Sequence, residues 1–208
     1  MRRKALLIAA VLALTALVPA GGAGATTAIQ AHRIAAAAPA PAAGKASVPV
    51  GGRLIAPPAA CPGQEDLDAP AAAQEEAMAC MVDFARRGAG LNELSGAPAL
   101  AQSAEDKSLD VLRCNEFSHF ACGREFTYWM KETGYTSAPC WRVGENLAWG
   151  SGEYGTVRSI FVAWMRSPTH RANLLGEFDE SGLSLEFGTL EGLPGTHVWA
   201  EHFGSHCD

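Results

Sequence analysis

Three stretches of the sequence set polar, titratable side chains among apolar neighbours. They are Phe117-Ser118-His119-Phe120, Gly144-Glu145-Asn146-Leu147-Ala148-Trp149-Gly150, and Trp164-Met165-Arg166-Ser167-Pro168-Thr169-His170-Arg171-Ala172-Asn173-Leu174. Two imidazoles, His119 and His170, with the carboxylate of Glu145 are suitable ligands for a divalent transition metal such as zinc that keeps an open position. In a hydrolase, Glu145 would be general base to a water on that metal. Each stretch also has a structural reading. A histidine among aromatics is satisfied by a backbone partner, and Glu145 caps a strand or pairs with Arg142 or Arg171. Asn146 and Asn173 then act as hydrogen-bonding staples for loop backbone. No H-E-x-x-H and no G-x-S-x-G occurs, so neither the zincin scheme nor a nucleophile elbow applies.

The elements that must position these residues are legible from spacing. Asp68-Ala69-Pro70 starts a helix whose apolar positions Ala73, Ala77, Met81, Phe84 and Ala85 keep helical period, with Gly88 or Gly90 as its end. Ser95 to Pro98 opens a second, with Ala97, Leu100, Ala101, Ala104, Val111 and Leu112 as its stripe. A third covers Arg124 to Thr133 and stops at Gly134. A fourth begins at Thr156 and faces the core with Val157, Ile160, Phe161 and Trp164. Ser167-Pro168 starts a short fifth through Leu175, which puts His170 in its first turn. There the helix dipole disfavours the imidazolium. Strands are expected at Arg142–Trp149, Ser181–Thr189 and Thr196–Phe203, the last two joined by a hairpin at Glu191–Gly195. In the last strand His197, Trp199, Glu201 and Phe203 share one face and Val198, Ala200 and His202 the other. Helices first and an antiparallel sheet afterwards make an α+β domain.

Composition divides the 208 residues in two. All 16 aromatics lie from Phe84 onward, and residues 61–208 hold all 22 acids but only 10 of the 16 Lys and Arg, a net charge of −12. So acidic a domain lacks the basic footprint of nucleic-acid binding and is repelled by anionic lipid. Arg2, Arg3 and Lys4, an apolar run from Ala5 to Val18 and Ala23-Gly24-Ala25 read as a secretory signal peptide over residues 1–25, cleaved after Ala25. The run is too short for a membrane span, so no integral segment is expected after cleavage. Residues 26–60 are rich in Ala and Pro, hold no aromatic and no acid, and read as a disordered tether. In an exported chain, Cys61, Cys80, Cys114, Cys122, Cys140 and Cys207 read as disulfides. Among the 15 pairings, Cys122–Cys140 is favoured because the two flank one predicted short helix.

Taken in order, the stretches resemble the CAP superfamily of cysteine-rich secretory, antigen-five and pathogenesis-related proteins. The likeness starts at Met81-Val82-Asp83-Phe84-Ala85-Arg86 and Gly90-Leu91-Asn92-Glu93-Leu94 and runs through the three stretches above. Gly182 and Val198-Trp199-Ala200-Glu201-His202-Phe203-Gly204 complete it. It covers residues 75–204, within a single domain over 61–208, and its S-P-x-H-R-A-N-L form is similar to the extracellular bacterial SCP-like branch. The resemblance implies a three-layer α-β-α sandwich with a small antiparallel sheet. It also implies a cleft in which His119, Glu145 and His170 meet, able in some members to hold zinc. Asn146 would line that cleft, and Glu201, Arg171 and Asn173 are further candidates. Animal and plant members carry a second glutamate after the tryptophan of the fourth helix, where this chain reads Trp164-Met165-Arg166-Ser167 without an acid. The function expected is a secreted, non-enzymatic binding module for a lipid, sterol, wall component or protein. The alternative is a metal-assisted peptidase or esterase.

Overall fold

A computed structural model of the chain describes residues 54–207. The expected signal peptide and most of the expected tether lie outside these residues. Among them the order is α1 (Ala71–Gly88), β1 (Ser95–Gly96), α2 (Pro98–Cys114), α3 (Tyr128–Glu132), β2 (Trp141–Ser151), α4 (Val157–Arg166), α5 (Pro168–Leu174), β3 (Glu180–Leu190) and β4 (Leu193–His206). The strands lie in the order β1-β3-β4-β2. β4 is central and antiparallel to both long neighbours, with Glu145 opposite His202 in β2 and Gly182 opposite His202 in β3. The sheet is mixed, not purely antiparallel, because Ser95-Gly96 adds a two-residue parallel strand against Glu180-Ser181. So short a pairing leaves no periodic pattern in a sequence.

Side chains of a strand alternate between faces, and the two faces of this sheet bury different layers. Ala148, Leu185, Trp199 and Phe203 pack with Met78, Met81, Ile160, Phe161 and Trp164 from α1 and α4. Leu147, Trp149, Val198 and Ala200 pack on the other side with Ala104 and Val111 of α2. This is the α-β-α sandwich. α2 lies so close to β3 that a Cβ on Gly182 would sit 2.0 Å from the backbone nitrogen of Ala101, so only glycine fits there. Thr156 caps α4, its hydroxyl accepting from Ser159 N–H. α3 is shorter than its expected span, because residues 124–127 precede the helix.

Two expectations are corrected. The disulfides are Cys61–Cys80, Cys114–Cys122 and Cys140–Cys207, with Cα–Cα separations of 5.7, 5.5 and 5.4 Å. Cys122 therefore does not pair with Cys140. The turn at Ala121–Gly123 folds back onto the end of α2, while Cys140 enters β2 where its antiparallel partner β4 ends. The folded part also begins before residue 61. Ala56 is fully buried in the α1–α4 core with Leu54 and Ile55 against it, and its carbonyl accepts from Arg158 at 3.0 Å.

Candidate functional site

Glu145 is the hub of the site. It lies on the α2 face of β2, its side chain 1% exposed. Oε1 is 2.5 Å from His119 Nδ1, and Oε2 is 2.8 Å from His202 Nε2. Lys107 Nζ lies 4.0 Å from Oε1 and donates to the His119 carbonyl at 2.5 Å. Burial alone would push the Glu145 carboxyl up. The hydrogen bonds from His119 and His202 and the charges of Lys107 and His202 outweigh it and pull the group down to about 2. An ionised carboxylate only accepts hydrogen bonds, so both facing ring nitrogens carry protons. A neutral His119 therefore holds its lone pair on Nε2.

α2 and β4 supply partners that residue spacing alone does not reveal. Leu100, Ser103, Ala104, Lys107 and Val111 step by threes and fours around the sheet-facing side of α2, so two polar residues share its apolar stripe. Ser103 Oγ donates to Leu100 O at 2.9 Å and meets His202 Nδ1 at 2.7 Å. A continuous chain thus runs from His119 through Glu145 and His202 into α2. Lys107 was legible as a lysine at i+7 from Leu100, and His202 as the residue whose alternation puts it on the face opposite Glu201.

Glu201 itself does not reach this cluster. It faces the α1 layer, opposite Asn146 in register, fully buried, with neither carboxyl oxygen hydrogen-bonded among the described residues. Burial raises its carboxyl well above the usual range, against the pull of the Arg86 charge. Arg86 meanwhile donates to the carbonyls of Asn92, Leu174, Gly176 and Phe178. Glu145 is also not paired with Arg142, whose partner is Glu177.

α5 brings His170 against β2 through its backbone. Asn146 Nδ2 donates to the His170 carbonyl at 3.1 Å, and Asn173 Nδ2 to the Glu145 carbonyl at 3.1 Å and to Asn146 Oδ1 at 2.9 Å. Ser167 occupies the N-cap position of α5, but its hydroxyl contacts His170 Nδ1 at 2.8 Å, not a helix amide. His170 is buried. Arg171 is half-buried on the same helix. The two asparagines are therefore staples between β2 and α5. Among the described residues no three His, Cys, Asp or Glu side chains are grouped so as to hold a metal ion. Glu145, the carboxylate of the expected ligand set, already serves two imidazoles. As arranged, it does not fit as a metal ligand. The geometry orients an imidazole from behind.

Residues 81–192 match the cysteine-rich secretory protein family, CAP. The matched span includes Lys107, His119, Glu145 and His170 and ends before His202. Two solved structures share the fold. An outer surface protein of Borrelia burgdorferi has 17% identity and a TM-score of 0.51, over 62% of this chain and 90% of its own. An extracellular SCP-domain protein of Bacillus anthracis has 18% identity and a TM-score of 0.51 over 64% of this chain, which spans 40% of that longer one. No curated protein sequence matches the chain. With the family's motifs over more than half its length and its sandwich in three layers, the chain belongs to the cysteine-rich secretory protein, or CAP, family.

Proposed function

We propose that this CAP domain is exported and works as a non-enzymatic binding module. One observation carries the reading: both oxygens of Glu145 are engaged by ring nitrogens, and its carboxyl is held at about 2. A general base must be poised near the working pH and within reach of its proton. A saturated carboxylate with so low a value is neither. The basic, apolar and small-residue stretches of residues 1–25 support export.

The ligand we infer is a lipid or sterol. Trp149, Tyr154, Ile160, Val162 and Ala163 line a groove of about 290 Å³ beside α4, with Ser159 and Arg166 as its polar lining. Apolar walls with one cation suit an amphipathic molecule. The test is capture of a labelled sterol or fatty acid by the mature, oxidised protein without metal, beside Ala163→Trp, which fills the groove. The reading expects capture by the wild type and loss in the variant. If no lipid or sterol is captured, it fails, and a wall fragment or a protein ligand becomes the target. Zinc calorimetry on the wild type and a His119→Ala, His170→Ala double variant addresses the hydrolase. Zinc binding by the wild type alone, with cleavage of a peptide or ester, contradicts the binding reading.

A further inference from the structure

A second groove, remote in chemistry from the histidine site, runs along the edge of the sheet. β3 pairs with β4 along its whole length, but on its other side β1 covers only Glu180 and Ser181. From Gly182 to Leu190 no strand occupies that side among the described residues. Ala97 N–H donates to Ser181 O at 2.9 Å, which marks the side of β3 that faces outward. By the two-residue period, the backbone groups of Leu183, Leu185 and Phe187 face the same way. At Leu185 the N–H is met by Glu75 Oε1 at 2.8 Å. A side-chain oxygen from α1 thus stands where the carbonyl of a neighbouring strand would be.

The edge forms the floor of a groove of about 330 Å³ with α1 and α2 as walls. Three carboxylates line it, Glu75 from α1, Glu105 from α2 and Glu186 from β3, and among the described residues no Lys or Arg does. Burial raises the Glu75 and Glu186 carboxyls, and the charge of Glu105 adds to both. Among the described residues the groove thus combines a strand edge without a neighbouring strand with three carboxylates and no cation. A second copy of this chain would bring three more carboxylates to the same place, so self-pairing is opposed.

We propose that the free edge of β3 receives an extended, basic peptide segment of another protein, which adds a strand to the sheet. The peptide backbone pairs with Leu183, Leu185 and Phe187, and its Lys or Arg side chains meet Glu75, Glu105 and Glu186. Its carbonyl takes the Leu185 N–H and releases Glu75 to the incoming cation.

The probe is a ten-residue peptide of alternating lysine and valine, titrated into the mature, oxidised chain and followed by amide NMR and hydrogen exchange. The proposal expects shifts and added protection at Leu183, Leu185 and Phe187, and affinity that falls as salt rises. A Glu75→Gln, Glu105→Gln, Glu186→Gln triple variant should bind at least tenfold more weakly. That variant keeps a carbonyl oxygen at each position, and its amide spectrum verifies the fold. A glutamate–valine peptide should not bind. Equal affinity for the triple variant overturns the proposal, as do shifts confined to other surfaces. Concentration-dependent dimerisation through the same amides, without peptide, also overturns it.

Discussion

Glu145 concentrates the energetics of the site in one side chain. Replacing a buried, multiply hydrogen-bonded charge leaves its partners uncompensated, and Glu145→Gln should cost about 3–5 kcal/mol in urea denaturation. Its folded-state value near 2 lies below the ordinary 4.5, so its stabilisation is complete above about 4.5 and lost as the pH falls toward 2. Glu201 works in the opposite sense. Its carboxyl is raised by burial, with Arg86 and Asp83 as the charges that act on it, so its stabilising protonated form is complete below 4.5 and lost as the pH rises. Thermal melts between pH 4 and 8 should show a smaller loss with rising pH in Glu201→Gln than in the wild type. An equal slope would place the titration elsewhere. The sequence pointed to His119, Glu145 and His170 as one cluster because each sits in apolar surroundings. Alternation put Glu201 and His202 on opposite faces of the last strand, but which face meets Glu145 follows only from the register with β2.

The elements matter because each fixes one direction of the site. α2 was legible as an amphipathic helix, yet its stripe is not purely apolar, and Ser103 and Lys107 are held there by His202 of β4 and the His119 carbonyl. Such positions read as exposed in a pattern search, since burial of a lysine needs a partner that only the tertiary fold supplies. β1 was not legible, because two residues carry no alternation. Arg86 joins the end of α1 to the segment between α5 and β3 through three carbonyls, so it orders the helix that carries His170. Arg86→Leu should lower stability by about 3 kcal/mol or more, since the carbonyls lose charged donors in a buried setting. Hydrogen exchange should quicken first across residues 168–178. Uniform loss of protection would show that Arg86 supports the whole fold and not this junction.

At the scale of the molecule, three disulfides close loops of very different length. Cys140–Cys207 spans 67 residues, Cys61–Cys80 19 and Cys114–Cys122 8. Loop-closure entropy then predicts losses of about 4, 3 and 2.5 kcal/mol when each pair is replaced by serine. Urea midpoints read that order, and a larger loss from Cys114–Cys122 would show that local packing outweighs chain entropy. Export rests on residues outside the described structure, and mass spectrometry of the secreted protein should find Thr26 as its first residue. A mature protein that keeps Ala5–Val18 would contradict cleavage. The division between an aromatic-free start and an acidic, cystine-braced remainder was visible in composition. Its border was not, because Leu54, Ile55 and Ala56 look like tether until the α1–α4 core shows where they pack.

The central claim is that Glu145 is a fixed anion that orients His119 and not a base that activates water. Carboxyl ¹³C NMR of the oxidised protein, assigned by comparison with Glu145→Gln, tests it most directly. The account predicts that the Glu145 signal keeps its ionised shift from pH 7 down to pH 4 and begins to move only as the pH approaches 2. An inflection between pH 5 and 7 would make Glu145 a competent general base and contradict the account.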